Sequence, residues 1–277
     1  MLRHRLVLLC AAATVFTCRA ADRPVPNTLT PEEKAEGWLL LFDGKTMKGW
    51  DDPRLKTPPG DAWTIGDGCL KARANPRITE DLFTKETFGD FDLEFDWRIS
   101  PGGNSGVKYR IQDHWFLSLK DSHAGGETFE QSVERSFRNP VRQRPDKGQD
   151  YVIGFEYQIT DDNKNGDAKS HFKHTAGALY DMVGPSTQAA RPVGEFNHSR
   201  IVVRGNHVEH WMNGVKVVDS ALDSPDALQG IGTRWRVAPH VYELLAKQPK
   251  KDCPISLQNH DNDAWFRSIK IRRLDKK

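Results

Sequence analysis

The chain has 277 residues, with 40 Lys and Arg against 38 Asp and Glu, for a formal net charge of +2. Its first 20 residues read as a secretory signal peptide, and without Arg3, Arg5 and Arg19 the remaining 257 residues carry a charge of −1. A near-neutral chain of this length gives no electrostatic case for nucleic acid and is long enough to bury one large core.

The N-terminal reading rests on a short basic stretch from Met1 to Arg5, an apolar run of 11 residues from Leu6 to Phe16, and the small residues Ala20 and Ala21. The run falls short of the about 20 residues needed to span a bilayer. The expectation is an exported protein, periplasmic or extracellular, without a transmembrane segment. Cys10 and Cys18 leave with the signal. Cys69 and Cys253 remain, either as a disulfide in an oxidising compartment or as two buried thiols. Residues 21–36 are expected as a linker and residues 37–274 as one domain.

In chain order, Pro31 to Gly37 suits a single helical turn. Phe91 to Ile99 alternates strictly, with Phe91, Leu93, Phe95, Trp97 and Ile99 opposite Asp92, Glu94, Asp96 and Arg98. Period-two alternation marks a half-buried strand. Val107 to Gln112 repeats it, with Lys108 and Arg110 on the polar side, and so does Phe155 to Thr160, with Glu156 and Gln158. Between them lies the polar, Arg-rich stretch His114 to Asp150, too long for an ordinary connection, although Phe129, Val133 and Phe137 have helical spacing.

Further strands are expected at Arg200 to Arg204, His207 to Met212, Val215 to Asp219, Ile255 to Gln258 and Trp265 to Arg272. Asn213-Gly214 between two of them is a type I′ hairpin signal. The second interruption is Gly230 to Pro254, which carries Arg234, Trp235 and Arg236 and a short helical pattern at Tyr242 to Lys247. Many strands and few helices predict an all-β fold: a two-sheet antiparallel β-sandwich with short peripheral helices and one long inserted loop.

The outward faces share a chemistry. Glu94, Asp96, Arg98, Lys108, Arg110, Glu156, Gln158, Ser256, Gln258 and His260 are expected on one outer surface, dense in the planar groups that bind sugar hydroxyls. Glu94 and Asp96, about 6.8 Å apart by strand repeat, resemble a glycosidase acid pair, but Arg98 stands where a further acid is needed. His171 and His174 lack a ligand set for zinc. Asp161, Asp162, Asn163, Asn165 and Asp167 read as an Asx-rich turn rather than a calcium loop.

Ordered blocks along the chain carry a family resemblance. They begin with Leu41-Phe42-Asp43-Gly44-Lys45 and Gly49-Trp50, then Trp63 with Asp67-Gly68, Trp97-Arg98, and Asn104-Ser105-Gly106 with Tyr109-Arg110. Gly154-Phe155-Glu156-Tyr157-Gln158-Ile159, Gly177 to Asp181, Asn197, Asn213-Gly214, Leu257-Gln258 with His260, and Phe266-Arg267 follow. From about Gly37 to Leu274 the chain resembles the 3-keto-disaccharide hydrolase family. It departs from the family pattern at Phe196, where Trp is usual, and at Asn259 and Asp261, where Asp and Gly are usual.

The resemblance implies a concanavalin-like jelly roll that acts on glycosides oxidised at C3. A C3 ketone acidifies the C2 hydrogen, so one base starts an elimination that expels the C1 oxygen, and water completes the hydrolysis. Motif and strand parity together give Glu156 as general base, with Arg110 and His260 as the other catalytic candidates. Arg98, Asn104, Lys108, Gln158, Tyr180 and Gln258 are the substrate-binding candidates. A structural Glu156–Arg110 salt bridge is the plain alternative. No cofactor is assigned, and a divalent ion polarising the keto oxygen fits the route without assignable ligands. A non-catalytic carbohydrate-binding module and a conventional glycoside hydrolase are the competing functions.

Overall fold

The computed structural model describes residues 25–51, 60–118, 124–140 and 147–274. The expected signal peptide lies outside these residues. Among them, fourteen strands form two sheets. In chain order they are β1 (Leu39–Leu40), β2 (Trp50–Asp51), β3 (Trp63–Gly66), β4 (Cys69–Ala72), β5 (Ile78–Thr79), β6 (Leu82–Thr84) and β7 (Phe91–Ile99). Then come β8 (Asn104–Ser118), β9 (Gly148–Thr160), β10 (Asn197–Arg204), β11 (His207–Met212), β12 (Val215–Ala221), β13 (Ser256–Leu257) and β14 (Ala264–Arg273).

The eight-stranded sheet runs β12-β11-β10-β7-β14-β4-β3, with β1 also paired to β14. The six-stranded sheet runs β2-β6-β13-β8-β9-β5. Pairing is antiparallel except for β5 with β9. This is the expected jelly-roll sandwich, and the Asn213-Gly214 hairpin forms as its φ values of 50° and 85° require.

The two inner faces meet through aromatic side chains. Phe91, Leu93, Phe95, Trp97 and Ile99 of β7 are all buried, as the alternation predicts. Phe91 meets Tyr109 edge-on at 6.2 Å and Phe95 meets Tyr157 edge-on at 5.6 Å, each worth about 0.5–1.5 kcal/mol beyond burial. Polar atoms in this core are paired within and across the sheets. Trp97 Nε1 donates to Ser199 Oγ at 2.8 Å, and Tyr157 OH shares a bond with the same oxygen at 2.8 Å. His210 Nδ1 donates to the Gly177 carbonyl at 2.9 Å, leaving Nε2 to accept from Tyr109 OH at 2.9 Å. Burial pushes the His210 pKa down to about 4, so the ring is neutral. Cys69 and Cys253 are both buried and free.

Helices α1 (Pro31–Ala35), α2 (Phe129–Arg138), α3 (Gly166–Ser170), α4 (Pro225–Trp235) and α5 (Pro239–Lys247) complete the fold. Residues expected as linker carry α1, whose Glu33 pairs with Lys270 of β14. The stretch expected as one long insertion is organised at both ends and in the middle. β8 continues through Ser118, β9 begins at Gly148, and α2 lies between, its first turn held by a Thr128–Gln131 capping box. Phe129 of α2 meets Tyr151 of β9 edge-on at 5.2 Å, and Phe137 meets Trp115 of β8 at 5.1 Å. Glu134 of α2 accepts from His240 N at the start of α5 at 3.1 Å. Helices α2, α4 and α5 therefore roof the six-stranded sheet, and the functional cavity lies under that roof.

Candidate active site

Three strands of the six-stranded sheet set the floor. The register places Lys108 of β8 directly between Glu156 of β9 and Ser256 of β13. Lys108 Nζ pairs with Asp81 Oδ2 at 3.2 Å, and Ser256 Oγ donates to the same oxygen at 3.2 Å. With the Gln258 amide turned nitrogen-first toward Glu156, Nε2 donates to Glu156 Oε1 at 3.2 Å. Its oxygen then accepts from Lys108 Nζ, also at 3.2 Å. The Glu156 side chain lies across Gly106: a Cβ there would stand 2.8 Å from Glu156 Cδ and closer still to Oε1. Only glycine leaves room for this carboxylate.

Burial pushes the Glu156 pKa up to about 7; Lys108 opposes the rise and Asp81 adds to it. Lys108 is also buried, which works against its charge, but Asp81 and Glu156 outweigh that and hold it as a cation. A half-ionised carboxylate beside a fixed ammonium is the electrostatic setting of a general base near neutral pH.

A segment after the 3₁₀ turn Phe172–His174 forms the wall next to Glu156. Gly177 N donates to the Gln158 carbonyl at 2.9 Å and Tyr180 N donates to the Glu156 carbonyl at 3.0 Å, so this segment runs along β9. It delivers Tyr180, whose OH donates to Asp167 Oδ2 at 2.9 Å. His174 lies between Asp167 Oδ1 at 2.8 Å and Asp181 Oδ1 at 3.1 Å. Burial of the ring opposes its charge, but the two carboxylates outweigh it and raise the His174 pKa to about 9.

Helix α4 supplies a second cation. At Gly230 a Cβ would stand 2.6 Å from the Asp181 carbonyl oxygen, so the helix presses directly on that backbone. One turn later Arg234 reaches Tyr151 OH at 3.2 Å and Asp181 Oδ2 at 3.4 Å. Burial works against the guanidinium charge, but Tyr151, Tyr180, Asp181 and Glu130 outweigh it and raise its pKa.

Together these groups enclose a cavity of about 270 Å³. Asn104, Lys108, Glu156, Gln158, Tyr180, Gln258 and His260 line it, as the sequence reading proposed for a shared site. Asn104 Oδ1 and Gln158 Oε1 are buried there without hydrogen-bond partners. Such atoms are rare and call for a donor, which a ligand hydroxyl can supply. His260 stands exposed at the mouth, yet the protein crowded around its ring lowers its pKa, and the Lys108 charge adds to that.

Two candidates are placed elsewhere. Arg98 lies on β7 in the other sheet, its guanidinium over Trp265 at 4.4 Å and Phe196 at 5.0 Å. The expectation that β7 shares an outer face with β8 and β9 is corrected: Glu94, Asp96 and Arg98 belong to the opposite side of the sandwich. Arg110 falls at the bulge between Tyr109 and Asp113, at φ 51°, and the bulge turns it out of the alternation. Its guanidinium binds Asp90 at 3.0 Å and the carbonyls of Lys251 and Gly205, each at 2.9 Å. A Glu156–Arg110 salt bridge is likewise excluded.

Sequence reasoning missed Asp81, Tyr151, Asp181 in its pairing role, and Arg234. Arg234 sat in a stretch singled out only as an interruption, and nothing local marked which of its residues turns inward. Among the described residues, the His/Asp/Glu group whose ligand atoms fall within 4.8 Å of one another is His207, Glu209 and Asp219, on β11 and β12 and off the cavity wall. Lys216 already pairs with both of its carboxylates, at 3.0 and 2.6 Å. Asp161 accepts from Asn163 N at 3.1 Å and Gly102 N at 2.7 Å, which bears out the Asx-turn reading.

Comparison with known proteins gives the family. The family model described as the 3-keto-alpha-glucoside-1,2-lyase-like domain matches residues 37–272. A 3-keto-disaccharide hydrolase of Bacteroides thetaiotaomicron is 32% identical over 254 residues, covering 87% of this chain and 80% of that one. A solved structure of a candidate glycosyl hydrolase from Parabacteroides distasonis aligns with a TM-score of 0.66 at 26% identity, over 91% of this chain and 100% of that one. A second from the same organism, at TM-score 0.55 and 23% identity over 86% and 99%, shares the fold. The chain is a carbohydrate-active enzyme of the hydrolase and lyase kind, and it belongs to the family of 3-keto-alpha-glucoside-1,2-lyase-like domains.

Proposed function

We propose that this enzyme cleaves 3-keto-glycosides, 3-keto-disaccharides among them, by elimination followed by hydration, and that it acts after export to the periplasm or beyond. The observation that carries the reading is Glu156: one buried carboxylate with a pKa near 7, braced between Lys108 and the Gln258 amide. Among the described residues, Asp181, the other carboxylate on the cavity wall, is engaged by His174 and Arg234 and does not complete a conventional glycosidase pair there.

The steps balance without a redox change. Glu156 takes the proton from C2, and the C–H electron pair moves to C2–C3, leaving negative charge on the C3 oxygen. The cations Lys108 and Arg234 on the cavity wall are suited to stabilise that enediolate. Return of the charge to C3=O forms C1=C2 and breaks the C1–O bond, and the departing oxygen takes a proton from solvent at the mouth, where His260 lies. Water then adds its oxygen to C1 and its proton to C2, and Glu156 gives up the proton it holds to solvent, which replaces the one taken by the departing oxygen and restores the base. Asn104 and Gln158 accept hydrogen bonds from the ring hydroxyls.

The test is NMR of 3-keto-disaccharide turnover in D2O, with the parent disaccharide alongside. Elimination and hydration predict product carrying deuterium at C2, no reaction of the parent, and loss of about 10²–10⁴-fold in rate in Glu156→Gln. Cleavage that keeps hydrogen at C2 and shows no rate effect of deuterium placed at C2 of the substrate would sink the eliminating route. N-terminal sequencing of the protein recovered from its native compartment tests export, with cleavage after Ala20 expected.

A further inference from the structure

We propose that the open cleft beside His260 is the subsite that holds the departing sugar. This rests on the reading above that a 3-keto-disaccharide is cleaved in the adjoining cavity. At about 270 Å³, that cavity lies below the roughly 300–1,000 Å³ of pockets that enclose drug-sized ligands. It suits one hexose ring, so the second ring of a disaccharide has to extend through the mouth. Gln149 and His260 line the cavity, and both also line a cleft of about 560 Å³ on its outer side. The two spaces adjoin at these two side chains, where the bond between the sugars would cross.

The cleft has a wall held in place by backbone bonds. Ala74 N donates to Asp263 Oδ1 at 3.0 Å, Asn75 N to Asp261 Oδ1 at 2.6 Å and Arg77 N to Asp61 Oδ2 at 3.2 Å. Asn75 and Asp261 sit at φ 54° and 62°, the left-handed region that Asn and Asp occupy more readily than other side chains. No Trp, Tyr or Phe lines the cleft among the described residues, so the ring is held by hydrogen bonds rather than stacking. Arg77, Lys147 and Gln149 offer donors, and Asp61 and Asp261 offer acceptors, which matches hydroxyls that both donate and accept. A lining with two cations and two carboxylates carries no net charge, which suits a neutral sugar over a uronate or a sulfated ring.

The test compares kcat/KM on a 3-keto-disaccharide with that on methyl 3-keto-glucoside, whose leaving group is too small to reach the cleft. The wild-type enzyme is expected to prefer the disaccharide by about tenfold or more, the worth of one or two charge-assisted hydrogen bonds. The double variant Arg77→Ala with Lys147→Ala is expected to lose most of that preference through a raised KM for the disaccharide. Both side chains are exposed, and a thermal melt checks that the variant folds. An undiminished preference in the folded variant, or no preference in the wild-type enzyme, overturns the subsite. Turnover of neither substrate by the wild-type enzyme is a different result: it removes the 3-keto-glycoside reading, and the subsite with it.

Discussion

The two outward faces of the sandwich begin from the same sequence pattern and end as different chemistry. On the eight-stranded sheet every acid of β7 meets a basic side chain in register. Glu94 lies between Arg200 of β10 and Lys270 of β14, and Asp96 lies between His198 and Arg267. Asp92, though buried, is bound by Arg200 at 2.6 Å and Arg272 at 2.9 Å. On the six-stranded sheet Glu156 meets one lysine already shared with Asp81, under a roof of helices. Solvated, fully matched charges make a surface. Desolvated, under-matched charges make a base.

The comparison breaks most sharply at Gly106. Gly106→Ala is expected to lower kcat/KM on a 3-keto-disaccharide by about 10²–10⁴-fold, the worth of a positioned base, with the fold retained. A variant with near-normal activity would show that the carboxylate does not need the space above that strand. Next in size is Asp81→Asn, which leaves Lys108 short of a buried partner and is expected to cost about 3–5 kcal/mol in denaturant unfolding. It also removes a charge that raises the Glu156 pKa, so the midpoint of the pH–rate profile should move below about 7. Loss of stability without that movement would separate Asp81 from the base.

Glu156→Gln should show the opposite sign on stability. Unfolded, this carboxyl ionises near its ordinary value of 4.5; folded, burial moves it to about 7. Its contribution is fully present below pH 4.5 and is lost as pH rises through about 7, because ionisation then favours the unfolded chain. The amide never ionises, so at pH 9 the variant should be more stable than the parent by about 3 kcal/mol, with little difference at pH 4. Equal stability at both pH values would mean the carboxylate is not held in a desolvated place. The smallest effect belongs to the other face: Asp96→Asn, in a part-exposed matched set, should change stability by less than about 1 kcal/mol, and a larger loss would give that face a structural role of its own.

Long alternation was legible in the sequence because it integrates many residues. β7 and β11 have the expected ends, Phe91 to Ile99 and His207 to Met212. The short strands β1 to β6 were not, since two to four residues carry no period. Helix α4 was hidden by Gly230 and Gly232, which lower helix propensity, although Gly230 is needed where the helix meets the Asp181 backbone. In the site, parity found Glu156 and Lys108 because their strands pair directly. It failed at Arg110, where a bulge resets the count, and at Arg98, because alternation says which way a residue points and not which sheet its strand joins. Asp81, Asp181 and Arg234 enter through contacts distant in sequence, and no local spacing announces them.

Gly106 also has a diagnostic use. The carboxylate occupies the volume that any larger residue on the neighbouring strand would fill, so the two positions are not independent. A related chain with the glutamate but an alanine or serine at the position matching Gly106 would have to rotate the acid into another staggered arrangement, away from the amide and ammonium that brace it. The absence of one methyl group is thus a signature that can be read from a gene before any protein is made. It separates chains able to seat this base from those that keep the shape of the fold without it.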